Sequence, residues 1–365
     1  MQNKIFLALI MTALVAGSAF TDLVTGTAPI ISGGNQTALE NAFQSALDEI
    51  NDNLPSIGPK PELLIKAFGD SGLYSSHGAT QRAFGGYKSF AVTFGGMVGL
   101  ALPDSPLNII GNPSGFLDSL TDRLEAGDMR LGVLPQGVNA NISINTSKFL
   151  IKDLYLGVHL GYMKLDNVVP GLTYDYLSLG ATLNYQLIKP VGSGLFSWRG
   201  VNIGSGFIYQ GTKLGYALNA ADLIDPISQG FGSGGTSGTL TITPKSLNLN
   251  VDVSTYVVPV EVTTAIRLLW FLNIPIGVGA DIGFGKSELT MGMDASMDVQ
   301  GAGITTTTPG SLAVNVGGNM APSLMNLKVM SGLGLKLGPV VIDIPITWYF
   351  QDDGLSVGLT VGFIW

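Results

Sequence analysis

The sequence predicts an all-β protein, a transmembrane antiparallel β-barrel of about 10–14 strands with a short helical N-terminal segment. Three observations carry that reading. The chain is 46% hydrophobic but only 12% charged, with 50 glycines among 365 residues. Soluble domains average about 25% charged residues, so a water-exposed surface would be hard to cover. From Tyr87 onward apolar side chains recur at every second position, the period of a strand with one apolar face. The last residues, Leu355 to Trp365, read LSVGLTVGFIW and end the chain on an apolar strand with an aromatic terminus. A strand facing lipid and closing a barrel accounts for such an ending.

The first segment, 1–19, has the pattern of a secretory signal peptide. Lys4 supplies the positive start, Ile5 to Val15 the apolar stretch, and Gly17 and Ala19 the small residues before cleavage. Residues 20–86 read as a helical segment that either plugs a barrel mouth or extends into the periplasm. Asn35 or Thr37 caps a helix to about Asn53, with Leu39, Phe43, Leu47 and Ile50 at helical spacing. A second helix starts at Pro61, with Leu63, Leu64, Ala67 and Phe68 on one face.

Residues 87–365 form the predicted barrel. Its strands begin with Phe90 to Leu100, Val138 to Ile144, Leu154 to Tyr162, Leu177 to Leu187 and Val201 to Tyr209. They continue with Val258 to Trp270, Ile276 to Phe284, Leu327 to Leu337, Val340 to Phe350 and Leu355 to Trp365. Connections alternate in length. Outside ones fall at 103–128, 166–173, 212–256, 290–323 and 351–354, and inside ones near 146–152, 188–197, 271–274 and 338–339; the tight outside turn at 351–354 is the exception to the alternation. Such barrels keep short turns in the periplasm and long loops outside. Further alternation at Leu247 to Val253 and Leu312 to Val316 leaves room for extra hairpins. Ser114 to Ala126 reads as a helix, and Gln229 to Gly238 as a glycine-rich loop tip. Trp198, Trp270, Trp348 and Trp365 lie at or near strand ends, where a half-wet ring prefers to sit.

Catalytic and cofactor chemistry finds little purchase. There is no cysteine, so no disulfide and no thiolate metal site. A net charge of −8 excludes a phosphate-neutralising stripe and so a nucleic-acid partner. Ala280 to Ser287 approximates a P-loop, but it lies inside an alternating strand with no helix following. No enzymatic activity, cofactor or metal is expected. Of the two histidines, His77 sits in a Ser-Ser-His-Gly loop, and His159 faces the predicted lumen.

The candidate functional residues are lumenal. Glu261, Arg267, Asp281, Lys328, Lys336 and Asp343 share the face opposite the apolar one, together with His159. Charges on the lipid side would cost about 2–4 kcal/mol each at mid-membrane, which drives them inward. They form either a solute-selecting constriction or a network that props the wall. Other lumenal positions are mostly Gly, Ser, Thr, Asn or Ala.

The terminal residues Leu359, Val361, Phe363 and Trp365 resemble the carboxy-terminal signal of Gram-negative outer-membrane β-barrel proteins, read by the barrel-assembly machinery. That resemblance implies an exported protein in contact with outer-membrane lipid. More narrowly, a helical segment before a large barrel is similar to the long-chain fatty-acid transporter family, whose members have fourteen strands and an amino-terminal hatch. The implied function is a channel or transporter for small, possibly hydrophobic, molecules. The alternative is a surface barrel whose long outer loops bind a partner or host molecule.

Overall fold

The computed structural model describes residues 24–53, 61–78, 87–105, 112, 130–193, 195–220, 226–233, 236–351 and 353–365. The signal peptide expected at 1–19 and the helix expected at Ser114 to Ala126 fall outside them. In chain order the elements are β1 (Val24–Thr27), β2 (Ile30–Ser32), α1 (Gln36–Asn53), α2 (Pro61–Ser75), β3 (Phe90–Ala101), β4 (Gly132–Pro135) and β5 (Asn139–Asn145). Then come β6 (Leu154–Asp166), β7 (Leu172–Ile188), β8 (Val191–Ser193), β9 (Phe196–Asn219), β10 (Ile227–Ser233), β11 (Thr236–Leu268) and β12 (Leu272–Gly301). The chain ends with β13 (Thr305–Thr308), β14 (Ser311–Met320), β15 (Met325–Leu337), β16 (Val340–Tyr349) and β17 (Gly354–Ile364).

Pairing closes a ring of antiparallel neighbours: β3, β5, β6, β7, β9, β11, β12, β15, β16, β17 and back to β3. These are the ten segments expected from alternation. The terminal strand takes the closing place between β16 and β3, with Phe363 opposite both Val340 and Val92. Main-chain bonds from Ser89 N to Trp365 O (2.7 Å) and Trp365 N to Phe90 O (2.8 Å) seal the seam at the short-turn rim. Full closure leaves no unpaired edge in lipid.

The extra alternation in the long insertions does not add staves. Leu312 to Val316 lies in the separate strand β14, paired to the outer part of β12, and Leu247 to Val253 lengthens β11, which runs on past the barrel with β9 and β12 as a sheet. The apolar face inverts where they do so. On β11, Tyr256, Val260 and Val262 point outward and are exposed, whereas Val253, Val251 and Leu247 point inward and are buried. Outward positions above Tyr256 are polar: Ser254, Asp252, Asn250 and Asn248. β12 inverts at the same level, from exposed Phe284 to outward Lys286 and Glu288, with Leu289 and Met291 buried. Tyr209, Tyr256 and Phe284 are register partners, with ring centroids 5.0 Å and 5.5 Å apart. This aromatic row marks the outer edge of the lipid-facing band.

A bulge keeps the inner face consistent further out. Lys245 is an additional residue between Pro244 and Ser246 in the pairing with β12. Below it odd positions face in; above it even ones do, so Leu240 and Ile242 are buried alongside Leu247. Gln229 to Ser233 and Thr236 to Gly238 therefore lie in the paired strands β10 and β11, not in a loop tip. Helix α1 covers this inner face. Asn35 Oδ1 accepts the Ala38 amide at 3.1 Å as its cap. Leu39, Phe43, Ala46 and Leu47 pack on Leu240, Ile242, Leu247 and Met291. β1 adds to β14 and β2 to β13, at the same outer end.

Helix α2 enters the barrel from that end. Leu64, Ile65, Ala67, Asp70, Ser71, Leu73, Tyr74 and Ser75 are all buried; Glu62 at its start is exposed, and from Gly69 onward the helix is enclosed on every side. A ten-stranded interior admits only a slim helix, and the sequence is small at the contacts. A Cβ at wall residue Gly99 would meet the Ser71 carbonyl, and one at Gly132 the Ala67 carbonyl. The hydroxyls of Ser71, Ser75 and Ser76 bond back to carbonyls of the same turn, which lets them lie buried. After His77 the chain continues to Tyr87 at the opposite rim, where its hydroxyl donates to Ser143 Oγ (2.6 Å).

Candidate functional site in the barrel lumen

Half-way down the lumen, four strands and the plug bring ionisable groups together. β11 supplies Glu261, β12 Asp281, β15 Lys328 and β16 Tyr349, each on an inward position of its strand. Register sets the meeting: Glu261 lies opposite Gly279, and Gly279 opposite Lys328. That glycine leaves the gap across which Lys328 reaches. Its Nζ donates to Glu261 Oε1 at 2.5 Å and to Asp281 Oδ1 at 2.6 Å. Asp281 Oδ2 accepts from Tyr349 Oη at 3.1 Å and meets His77 Nε2 at 3.0 Å. Lys328 and Asp281 are almost wholly removed from water. Such charges persist only with this density of partners.

His77, Glu261 and Asp281 converge closely enough to hold a metal ion. The Lys328 ammonium sits among those same oxygens and supplies the positive charge itself, so this donor set is a poor fit for a divalent ion.

The cluster also joins plug to wall. Tyr74 of α2 stacks on Tyr349 with centroids 4.0 Å apart, and its hydroxyl donates to Asn326 Oδ1 at 3.3 Å. On the opposite wall, Gln210 Nε2 donates to Ser75 Oγ (3.0 Å), and Gln136 Nε2 to Gln210 Oε1 (3.1 Å). Higher up, buried Asp70 accepts Lys66 Nζ (2.8 Å), Arg130 Nη2 (3.0 Å) and the Ser323 amide (2.7 Å). Every one of these bonds is polar and reversible.

Below the plug lies a cavity of about 100 Å³. Its lining includes Asn141, Ser143, His159, Thr182, Asn184 and Asn202, with His77 and Glu261 at its edge. His159 is buried on this wall, and its Nε2 has no hydrogen-bond partner among the described residues.

The sequence-derived candidates thus divide into three groups. Glu261, Asp281 and Lys328 meet, and His159 lines the cavity beside them. Arg267 and Lys336 lie nearer the short-turn rim, within electrostatic reach of each other and of Arg199. Arg267 Nε donates to Asn273 Oδ1 at 2.9 Å. Asp343 is buried on β16 opposite Gly334 and Thr360, away from the Lys328 cluster. His77 and Tyr349 were not among the candidates. Parity places Tyr349 inward, which a reading of that strand alone reveals; His77 belongs to the plug, and no strand pattern points to it. Lys286 of the P-loop-like stretch stands in β12, exposed, bonded to Glu288 Oε2 at 2.6 Å.

Among solved structures the chain is similar to the translocator domain of the autotransporter NalP from Neisseria meningitidis, at 10% identity over 77% of this chain and 90% of that one, TM-score 0.29. It is also similar to the CymD monoaromatic hydrocarbon channel (8% identity, 77% and 89% covered, TM-score 0.23). A third is a Pseudomonas aeruginosa FadL homologue (9% identity, 82% and 98% covered, TM-score 0.22). At these scores the barrel assignment rests on the closed strand ring itself. No curated protein matches the sequence. The sequence profile described as Lsa36-like matches residues 22–365, spanning the outer sheet, the plug and every stave of the barrel, and the chain belongs to that family.

Proposed function

We propose that this outer-membrane β-barrel is a channel for small molecules, held shut by residues 61–78. One observation carries the reading: a polar cavity lies in line with a plug whose inner end, Ser75 to His77, is held to the wall by hydrogen bonds and an ion pair that water can replace, while Leu64, Ile65, Leu73 and Tyr74 pack on apolar wall residues further out. The wall around the cavity is rich in Asn, Ser and Thr, with Ile208 and Pro259 as aliphatic lining. A weakly polar solute can exchange hydrogen bonds with it, whereas a strictly apolar one gains little.

Planar-bilayer recording tests this. The native protein is expected to open rarely, and H77A, which frees the plug from Asp281, to open at least several-fold more often. Bridging S75C to Q210C with a short dithiol-reactive linker, at positions whose parent side chains touch at 3.0 Å, is expected to abolish opening. Silence in all three forms sinks the channel.

A second reading has its own support. Beyond the aromatic row, β9, β11 and β12 form a sheet with helix α1 on one side and a polar face on the other. That is a rigid platform suited to a binding partner outside the cell. Under this reading every form stays silent in the bilayer.

A further inference from the structure

The short-turn rim has a charge unlike the rest of the chain. Overall there are 18 Lys and Arg against 26 Asp and Glu. At the rim, exposed Lys88, Lys148, Lys152 and Lys189 surround a single described side-chain carboxylate, Asp153, which lines the groove and which Lys189 meets at 3.5 Å. Lys88, Lys148 and Lys189 line one groove of about 490 Å³, together with Ser89, Asn145 and Gln186.

The β5–β6 turn beside this groove presents bare apolar side chains. Phe149, Leu150 and Ile151 are 67%, 62% and 52% exposed. The turn holds them there by construction. Thr146 Oγ1 donates to the carbonyls of Ile151 and Leu154, both at 3.0 Å. Ser147 Oγ accepts the Asp153 amide at 2.7 Å, and the Phe149 and Leu150 amides donate to Thr146 O. With its polar groups satisfied inward, the turn has an apolar tip flanked by Lys148 and Lys152. Exposed Val191, Leu195, Phe196 and Trp365 continue the apolar surface around the rim.

We propose that this groove binds the phosphate headgroup of an anionic phospholipid in the periplasmic leaflet. The lysines match the phosphate charge, and the apolar tip sits where the acyl chains begin. Depth selects a lipid over a free anion, because the same element that offers the cations also enters the hydrocarbon boundary. The inference is independent of whether the lumen conducts.

The test uses delipidated full-length protein in neutral detergent, titrated with phosphatidylglycerol or phosphatidylcholine, with retained lipid counted by native mass spectrometry. Phosphatidylglycerol is expected to be retained preferentially. Neutralising Lys88, Lys148 and Lys189 together as K88Q, K148Q and K189Q is expected to weaken retention by roughly fivefold per lysine. The outer-face control K164Q, K213Q and K286Q is expected to leave it unchanged. Equal retention of both lipids, or no loss in the rim variant, overturns the proposal. Displacement of the lipid by inorganic phosphate at matching concentration overturns it too, since that marks a free-anion site.

Discussion

Lys328 is the residue on which the lumen depends most. Its ammonium separates two carboxylates that would otherwise face each other in a buried space. Removing one partner of a buried ion pair costs about 3–5 kcal/mol, because the remaining charge is stranded. K328M is therefore expected to lower the folded protein's resistance to urea by about that amount, read from gel mobility of unboiled samples. Adding E261Q and D281N to K328M removes the stranded charges and is expected to restore most of the loss. A triple variant no better than K328M would mean that the cluster acts through packing. Three of these partners were legible from alternation alone, since a charge that avoids lipid must face the lumen. Their meeting was not legible, because it depends on the register between β11, β12 and β15.

At the scale of elements, the most informative unit is the β11–β12 hairpin. Its lower part is apolar outside and its upper part apolar inside, on one continuous pair of strands. Alternation has the same period in both, so periodicity reports a strand without saying which side is wet. The bulge at Lys245 is the sensitive point. Deleting Pro244 together with Lys245 removes the bulge and one paired residue, which forces Leu240 and Ile242 onto the outward face, where they meet water. The expected result is release of α1, seen as protease cleavage within residues 24–53 while the barrel stays intact on a gel. Unchanged protection would show that the sheet re-forms the bulge elsewhere. Helix α2 was expected as an amphipathic helix with one apolar face. The enclosure of its inner half follows from its small residues, Gly69, Ser71, Gly72 and Ser75, which let a helix pass between barrel walls.

For the whole molecule, the path of the N-terminal segment matters most. β1 and α1 lie at the long-loop end, α2 occupies the outer lumen, and Tyr87 reaches the short-turn rim. The protein has no cysteine, which makes single-cysteine labelling clean. E40C on α1 is expected to react with an impermeant maleimide on intact cells, and K189C only after permeabilisation. The opposite pattern would reverse the orientation.

The sequence by itself determined the ten staves, their order and the closing role of Leu355 to Trp365. Each stave is a local pattern, because lipid on one side and lumen on the other act on neighbouring residues of the same strand. Only the tertiary structure decided what fills the lumen and where the membrane ends. Those depend on contacts between segments some two hundred residues apart, such as His77 with Asp281. They depend also on whether a given apolar face meets lipid or a covering helix. The chemistry of the side chains is the same in both cases, and only the fold supplies the neighbour.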